Sequence, residues 1–322
     1  MSLTTAPTSS FVLRTSYLAR DIKLSHTIFA MPFALLATFL AAAYELPAGR
    51  GGVANSLAFD GSLPSPLALG LIILCMVFAR TFAMAVNRLA DARYDAQNPR
   101  TAGRAIPAGR LSRSYMLAVL ALCAAGFLVA TAAFWFFFAN PFPLALSPLV
   151  LAWLALYSYT KRFTWLCHLF LGSALAMSPI AAAIAIQPAF ILQPEPWLLM
   201  VIVTCWVAGF DIIYALQDVD FDRSARLHSM PANLGVEPAL WIARLLHVGA
   251  LVALGTLVWL SALLGITFAS GIVIVAALLL LEHALVWGSR THHISMAFFT
   301  VNGLISVLLG GLGILEVILS RS

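Results

Sequence analysis

The sequence predicts an all-α, polytopic membrane protein: nine transmembrane helices around a central cavity that opens to the cytoplasmic side. The 322-residue chain is 62% hydrophobic and only 10% charged, whereas a soluble domain carries roughly 25% charged residues. Its mean hydropathy is +0.96. Nine apolar runs approach the length of about 20 residues that a helix needs to cross a hydrocarbon core. Helix is expected throughout because it satisfies its own backbone hydrogen bonds in lipid, and the short alternating strands of a closed barrel are missing.

The N-terminal MSLTTAPTSS has neither the basic start nor the short apolar core of a signal peptide. Residues 1–23 read as a cytoplasmic tail and interfacial segment, and 24–322 as a single transmembrane domain. The runs fall near 24–44, 66–90, 114–138, 143–160, 165–187, 196–217, 238–260, 267–287 and 295–319, and the fourth is weakened by Pro143 and Pro148. AAFWFFFAN, ending the third, reads as an interfacial aromatic belt. Connections on one side are modest: the Gly- and Pro-rich 46–65 and shorter ones near Asn140, Gln187 and Gly265. On the other side the polar loops near 97–114 and 223–237 read as caps.

Orientation follows from the basic residues, since cytoplasmic loops retain positive charge. Arg14, Arg20, Lys23, Arg93, Arg100, Arg104, Arg110, Arg113, Lys161, Arg162, Arg223, Arg226, Arg244 and Arg290 fall on one side. Only Arg50 and Arg321 fall on the other. This places the N-terminus in the cytoplasm, and the net charge of +5 describes one face of a membrane protein without invoking nucleic acid. Cys75, Cys123, Cys167 and Cys205 are scattered singly in or beside apolar runs, which suits packing rather than a metal site or disulfide framework.

Two stretches, NRLADARYDAQNPRTAGRAIPAG from Asn87 and DIIYALQDVDFDRSARLHSMPANLG from Asp211, concentrate the charge. At 3.6 residues per turn Asn87, Asp91 and Asp95 share one helix face, as do Asp211, Tyr214, Asp218 and Asp222. Ionisable residues in a membrane span are costly and usually line a polar cavity. The two copies of this pattern hint at an internal repeat with a site between its halves. Oxygen ligands without nearby His or Cys favour Mg²⁺ or Ca²⁺ over zinc, and Mg²⁺ is usually held by one or two carboxylates plus phosphates. The pattern therefore suits a diphosphate carried on Mg²⁺, with Arg and Lys as further phosphate contacts and a long isoprenoid tail among the helices. Alternatively the acids pair with neighbouring Arg at the membrane surface.

These residues resemble the UbiA superfamily of membrane aromatic prenyltransferases, nine-helix proteins with two Asp-rich motifs. NRLADARYD is similar to the first motif, NDxxDxxxD, with Arg88 where the family usually has Asp, and DIIYALQDVDFD is similar to the second, DxxYxxxDxxxD. KLSHTIFAMPFALL, NPRTAGRAIPAGRLS, YSYTKRFTWLCHLFLG and MAFFTVNGLISVLLG extend the resemblance over nearly the whole chain. It implies that Asn87, Asp91, Asp95, Asp218 and Asp222 hold Mg²⁺ and the diphosphate. Arg80, Arg88, Arg104, Lys161 and Arg162 would contact phosphate or an acceptor carboxylate, and Asp211 and Tyr214 would place the acceptor or take its proton. The implied reaction moves a polyprenyl group from polyprenyl diphosphate to a ring carbon of a small aromatic acid. The acceptor would be similar to 4-hydroxybenzoate, or 1,4-dihydroxy-6-naphthoate, in ubiquinone or menaquinone synthesis, at a bacterial inner membrane.

A cation-coupled secondary transporter is the rival class, and it expects acids near mid-span and Gly or Pro interrupting the motif helices. Here the acids cluster at the cytoplasmic ends, on helices expected to be continuous. A non-catalytic membrane scaffold gives no reason for aligned acids. His26 could approach the acceptor or simply pack between helices, whereas Glu282, His283 and Asn302 read as interhelical hydrogen-bonding groups.

Overall fold

A computed structural model describes residues 11–21, 29–44, 63–286, 294 and 297–321. The chain is helical, with no strand among the described residues. α1 (Phe11–Asp21) precedes α2 (Met31–Ala42), and α3 (Pro66–Gln97), α4 (Arg113–Phe138), α5 (Phe142–Thr160) and α6 (Cys167–Ile186) follow. Then come α7 (Pro194–Ala215), a 3₁₀ turn (Leu216–Asp218), α8 (Val219–Ser224) and α9 (Met230–Leu234). α10 (Val236–Leu260), α11 (Ile266–Leu285), a π turn (Ala297–Val301) and α12 (Asn302–Leu319) complete the chain.

Among the described residues, eight helical segments are long and apolar enough to cross a membrane. The ninth expected span, 24–44, is represented by α2, whose 12 residues cover only about 18 Å at 1.5 Å per residue. His26 lies outside the described residues. The Pro148 that weakened the fourth run sits inside α5 without ending it.

α3 is the longest element, at 32 residues, or roughly 48 Å. Ser65 Oγ accepts from the Ala68 N–H at 3.2 Å, and Pro66 occupies the first turn, two standard ways to start a helix. A hydrocarbon core of about 30 Å takes about 20 of those residues. The last three turns, with Asn87, Asp91 and Asp95, therefore extend toward the membrane surface.

α7 is the most buried span; it packs on α6 and α10, while α2 packs against α6 and α12. Small residues permit these approaches. A Cβ on Gly172 of α6 would stand 2.4 Å from the Thr204 carbonyl oxygen of α7, and one on Gly310 of α12 would stand 2.3 Å from Pro32 Cβ. Polar groups inside the bundle are bonded between helices. Trp206 Nε1 donates to Asn302 Oδ1 at 2.7 Å, Asn302 Nδ2 donates to Glu282 Oε1 at 2.8 Å, and His247 Nδ1 lies 3.0 Å from His283 Nε2. Trp135, Phe136 and Phe137 of the aromatic run are exposed, while Phe134 and Phe138 turn into the core.

Candidate active site

The ends of α3, α5 and α7 and the loops that follow them meet at one end of the bundle, around a polar pocket of about 210 Å³. Asn87, Asp91, Asp95, Asp211, Tyr214, Asp218 and Asp222 all line it, with Arg104, Lys161 and Arg162. Ten of the sequence-expected residues are thus brought together.

The helical stripe on α3 is intact. Asn87 Nδ2 donates to Asp91 Oδ2 at 2.9 Å, one turn away. The second stripe is broken: α7 ends at Ala215, and a 3₁₀ turn carries Asp218 before α8 resumes with Asp222. The expectation of an uninterrupted motif helix is therefore corrected. No Gly or Pro marks the break; the tighter turn carries Asp218 into the grip of the loop after α3. Asn98 Nδ2 donates to Asp218 Oδ1 at 2.9 Å, Arg100 Nε donates to the same oxygen at 2.8 Å, and Arg100 Nη2 donates to Oδ2. This is a two-pronged Arg–carboxylate contact, a strong and directional one.

Asp95, Asp222 and Asp91 also have cationic partners within the chain. Arg104 Nη1 contacts both oxygens of Asp95 at 2.7 Å. Lys161 Nζ lies 2.7 Å from Asp222 Oδ1, and Ser229 Oγ donates to Asp222 Oδ2 at 2.7 Å. Arg162 Nη2 donates to the Ala90 carbonyl at 2.8 Å and to Asp91 Oδ1 at 3.3 Å. Burial works against the charge of Lys161, but Asp222 outweighs it and raises the ammonium pKa above its ordinary value. Arg100 is likewise opposed by burial and held above its ordinary value by Asp218 and Tyr214. Asp91, Asp95, Asp218 and Asp222 are thus each met by a cationic side chain.

Two expected cations stand elsewhere. Arg88 is buried, its Nε and Nη2 donating to the Asp21 carbonyl at 3.2 and 3.1 Å while Nη1 donates to Asn87 Oδ1 at 2.8 Å. It fastens α1 to α3 because one residue past Asn87 the helix turns about 100° away from the stripe. Arg80 lines a second, apolar cavity of about 370 Å³ between α2, α3, α4, α5 and α6. Tyr157 and Leu171 border both cavities, so the polar pocket and the apolar one are neighbours.

Asn98, Arg100 and His168 are among the pocket residues that escaped the sequence reading. Asn98 continues the α3 stripe, eleven residues or about three turns beyond Asn87, a periodicity that could have found it. His168 Nδ1 lies 2.7 Å from Asp211 Oδ2, a partnership no local pattern announces. Cys167, expected to pack in the core, also lines the polar pocket, and Cys75 lines the apolar cavity.

The profile of the UbiA prenyltransferase family matches residues 51–304. A 4-hydroxybenzoate octaprenyltransferase from Aliivibrio fischeri is 34% identical over 170 residues, covering 52% of this chain and 55% of that protein. One from Photobacterium profundum is 34% identical over 173 residues, covering 54% and 58%. The chain thus spans little more than half the length of these curated relatives. Among solved structures, a UbiA homologue from Aeropyrum pernix K1 in its apo form superposes with a TM-score of 0.76 at 30% identity, over 92% of this chain and 98% of that one. A UbiA homologue from Archaeoglobus fulgidus bound to GPP and Mg²⁺ shares the fold, with a TM-score of 0.67 at 17% identity, over 94% and 99%.

Proposed function

This chain belongs to the UbiA prenyltransferase family, and from that premise we propose that it transfers a polyprenyl group from polyprenyl diphosphate to a ring carbon of a small aromatic acid. The observation that carries the reading is the pair of adjoining cavities, one lined by acids and cations and the other apolar, which suits a diphosphate head joined to an isoprenoid tail. Relatives named 4-hydroxybenzoate octaprenyltransferase support an acceptor of the 4-hydroxybenzoate class, with 1,4-dihydroxy-6-naphthoate as the alternative. Ubiquinone or menaquinone synthesis at a bacterial inner membrane is the setting, with the pocket and its loops facing the cytoplasm by the distribution of Lys and Arg.

Mg²⁺ fits the residues present. Among the described residues no three His, Cys, Asp or Glu side chains converge as a metal cluster. Mg²⁺ is commonly held by only one or two carboxylates, with phosphates and water completing the shell. Asn87 with Asp91, Asp95, Asp218 and Asp222 offer such oxygen sets on either side of the pocket. Bound there, Mg²⁺ would supply charge stabilisation to the departing diphosphate; a bound A. fulgidus homologue supports the same pairing of metal and prenyl diphosphate.

The chain's own groups then divide the work. Arg100, Arg104, Lys161 and Arg162 bind phosphate oxygens once the acids release them. Arg80 stands seven residues, about 10 Å, along α3 from Asn87, and nothing among the described residues hydrogen-bonds its buried Nε. The acceptor carboxylate would satisfy it. The apolar wall excludes water from the allylic cation, Tyr214 helps to seat the acceptor, and Asp211 takes the ring proton.

The test is prenyl transfer in membranes containing the protein, with labelled polyprenyl diphosphate, Mg²⁺ and either acceptor. Product that EDTA and Asp91→Ala abolish is expected. Diphosphate binding without product on either acceptor would move the protein to another acceptor class, and no diphosphate binding would favour the cation-coupled transporter.

A further inference from the structure

His168 opens α6 and is nearly enclosed, with 3% of its side chain exposed. Its two ring nitrogens have different duties. The backbone N–H of Met230, at the start of α9, donates to Nε2 at 3.2 Å. An N–H pointing into Nε2 requires a lone pair there, so the ring proton resides on Nδ1. Nδ1–H in turn donates to Asp211 Oδ2 at 2.7 Å. The imidazole is a neutral bridge between the α9 backbone and the carboxylate.

Asp211 is consequently held by one oxygen only. No hydrogen bond among the described residues engages Oδ1, and the side chain borders the pocket with 22% exposed. A free Asp side chain on a helix samples several staggered rotamers, so a fixed Oδ2 selects where Oδ1 points. We propose that His168 is a positioning residue for Asp211: it holds Oδ2 so that Oδ1 faces the pocket as the oxygen that removes the acceptor's ring proton. The inference rests on the prenyl-transfer reading. In that reaction the C1–O bond breaks with its electron pair leaving on the diphosphate, and a ring electron pair forms the bond to C1. The ring proton then passes to Oδ1, and the C–H pair restores aromaticity. His168 keeps its own proton throughout.

Glutamine makes the role testable, because its amide nitrogen and oxygen flank one carbon as the two imidazole nitrogens do. It can donate to Asp211 and accept from Met230 without an ionisable group. Kinetics of His168→Leu, His168→Gln and His168→Glu, each with and without Asp211→Asn, form the experiment. His168→Leu should lower kcat by roughly 10- to 100-fold, part of the 10²–10⁴ that a placed base contributes, with the KM for polyprenyl diphosphate within about twofold of wild type. His168→Gln should restore kcat to within about threefold, and the leucine effect should vanish in the Asp211→Asn background. Should His168→Leu fail to fold, judged by its thermal transition in detergent, Gln against Glu carries the comparison, since Glu offers Asp211 only a like charge. Wild-type kcat in His168→Leu or His168→Glu, a His168→Gln as slow as His168→Leu, or full additivity with Asp211→Asn would overturn the inference. An inactive wild type would instead defeat the proposed function.

Discussion

Replacing Lys161 by Met should lower stability more than its place at a pocket rim suggests. Lys161 Nζ lies 2.7 Å from Asp222 Oδ1, and the Asp222 side chain is 1% exposed. Without the ammonium, the buried carboxylate retains only the Ser229 hydroxyl. At this distance and an effective dielectric of about 20 the gross attraction is about 6 kcal/mol. Desolvation offsets part of it, and removing one member of a buried pair costs roughly 3–5 kcal/mol. The Lys161 side chain is 34% exposed, so water screens its end and the lower figure applies, about 3 kcal/mol. At roughly 2–4 °C per kcal/mol, thermal unfolding of the detergent-solubilised protein should shift down by about 6–12 °C. Adding Asp222→Asn should recover much of the loss, because the orphaned charge is removed with its partner. The pH dependence has a definite sign. Asp222 raises the ammonium pKa above its ordinary 10.5 despite burial, so on the alkaline side the lysine's contribution stays whole up to pH 10.5 and fades as pH climbs through the folded value. A Lys161→Met protein that melts with wild type, or that shares its alkaline decline in full, would refute the reasoning.

Other perturbations separate packing from chemistry. Gly172→Ala would place a Cβ 2.4 Å from the Thr204 carbonyl oxygen, where only backbone can yield, and should destabilise by about 1–3 kcal/mol, read by the same thermal assay. Asp91→Asn removes charge from the α3 set and should cost roughly 10²-fold or more in transfer rate, measured under saturating polyprenyl diphosphate, with excess Mg²⁺ failing to rescue it. Arg88→Ala should free α1 and expose it to limited proteolysis, because Arg88 holds the Asp21 carbonyl, and should also raise the KM for the diphosphate, because the pocket-lining Asn87 loses the Nη1 donor that fixes its Oδ1. Ala174→Phe, on the wall of the apolar cavity, should lower kcat/KM for a long prenyl diphosphate more than for a short one, measured by competition between the two.

The spans were legible because lipid leaves the backbone few choices and demands length and apolarity, both visible along the chain. The α3 half of the site was legible for a related reason, since an uninterrupted helix turns spacing into direction. The second half was less so. Nothing in LQD distinguishes a 3₁₀ turn from another helical turn, because the tightening accompanies a tertiary contact from Asn98 and Arg100. Arg80 and Arg88 show the limit of reading charge alone. Both lie near the motif in sequence, but residue phase around α3 and the presence of Asp21 send one into an apolar wall and the other to α1. His168 was hidden because its meaning depends on a carboxylate 43 residues away and an amide 62 away.

Four of the five acids that line the polar pocket, Asp91, Asp95, Asp218 and Asp222, are matched by Arg162, Arg104, Arg100 and Lys161. These four pairs are electroneutral at rest, so the bundle can assemble without waiting for a metal to cancel their carboxylates. Neutrality also sets a condition on occupancy. A diphosphate arriving alone must take cations from acids and leave those acids exposed to one another, while a divalent ion arriving alone displaces cations that then repel. When both arrive, each acid exchanges its side-chain partner for metal and each released cation finds a phosphate oxygen. Anion and metal binding should therefore be mutually dependent, each raising the affinity for the other by the same factor.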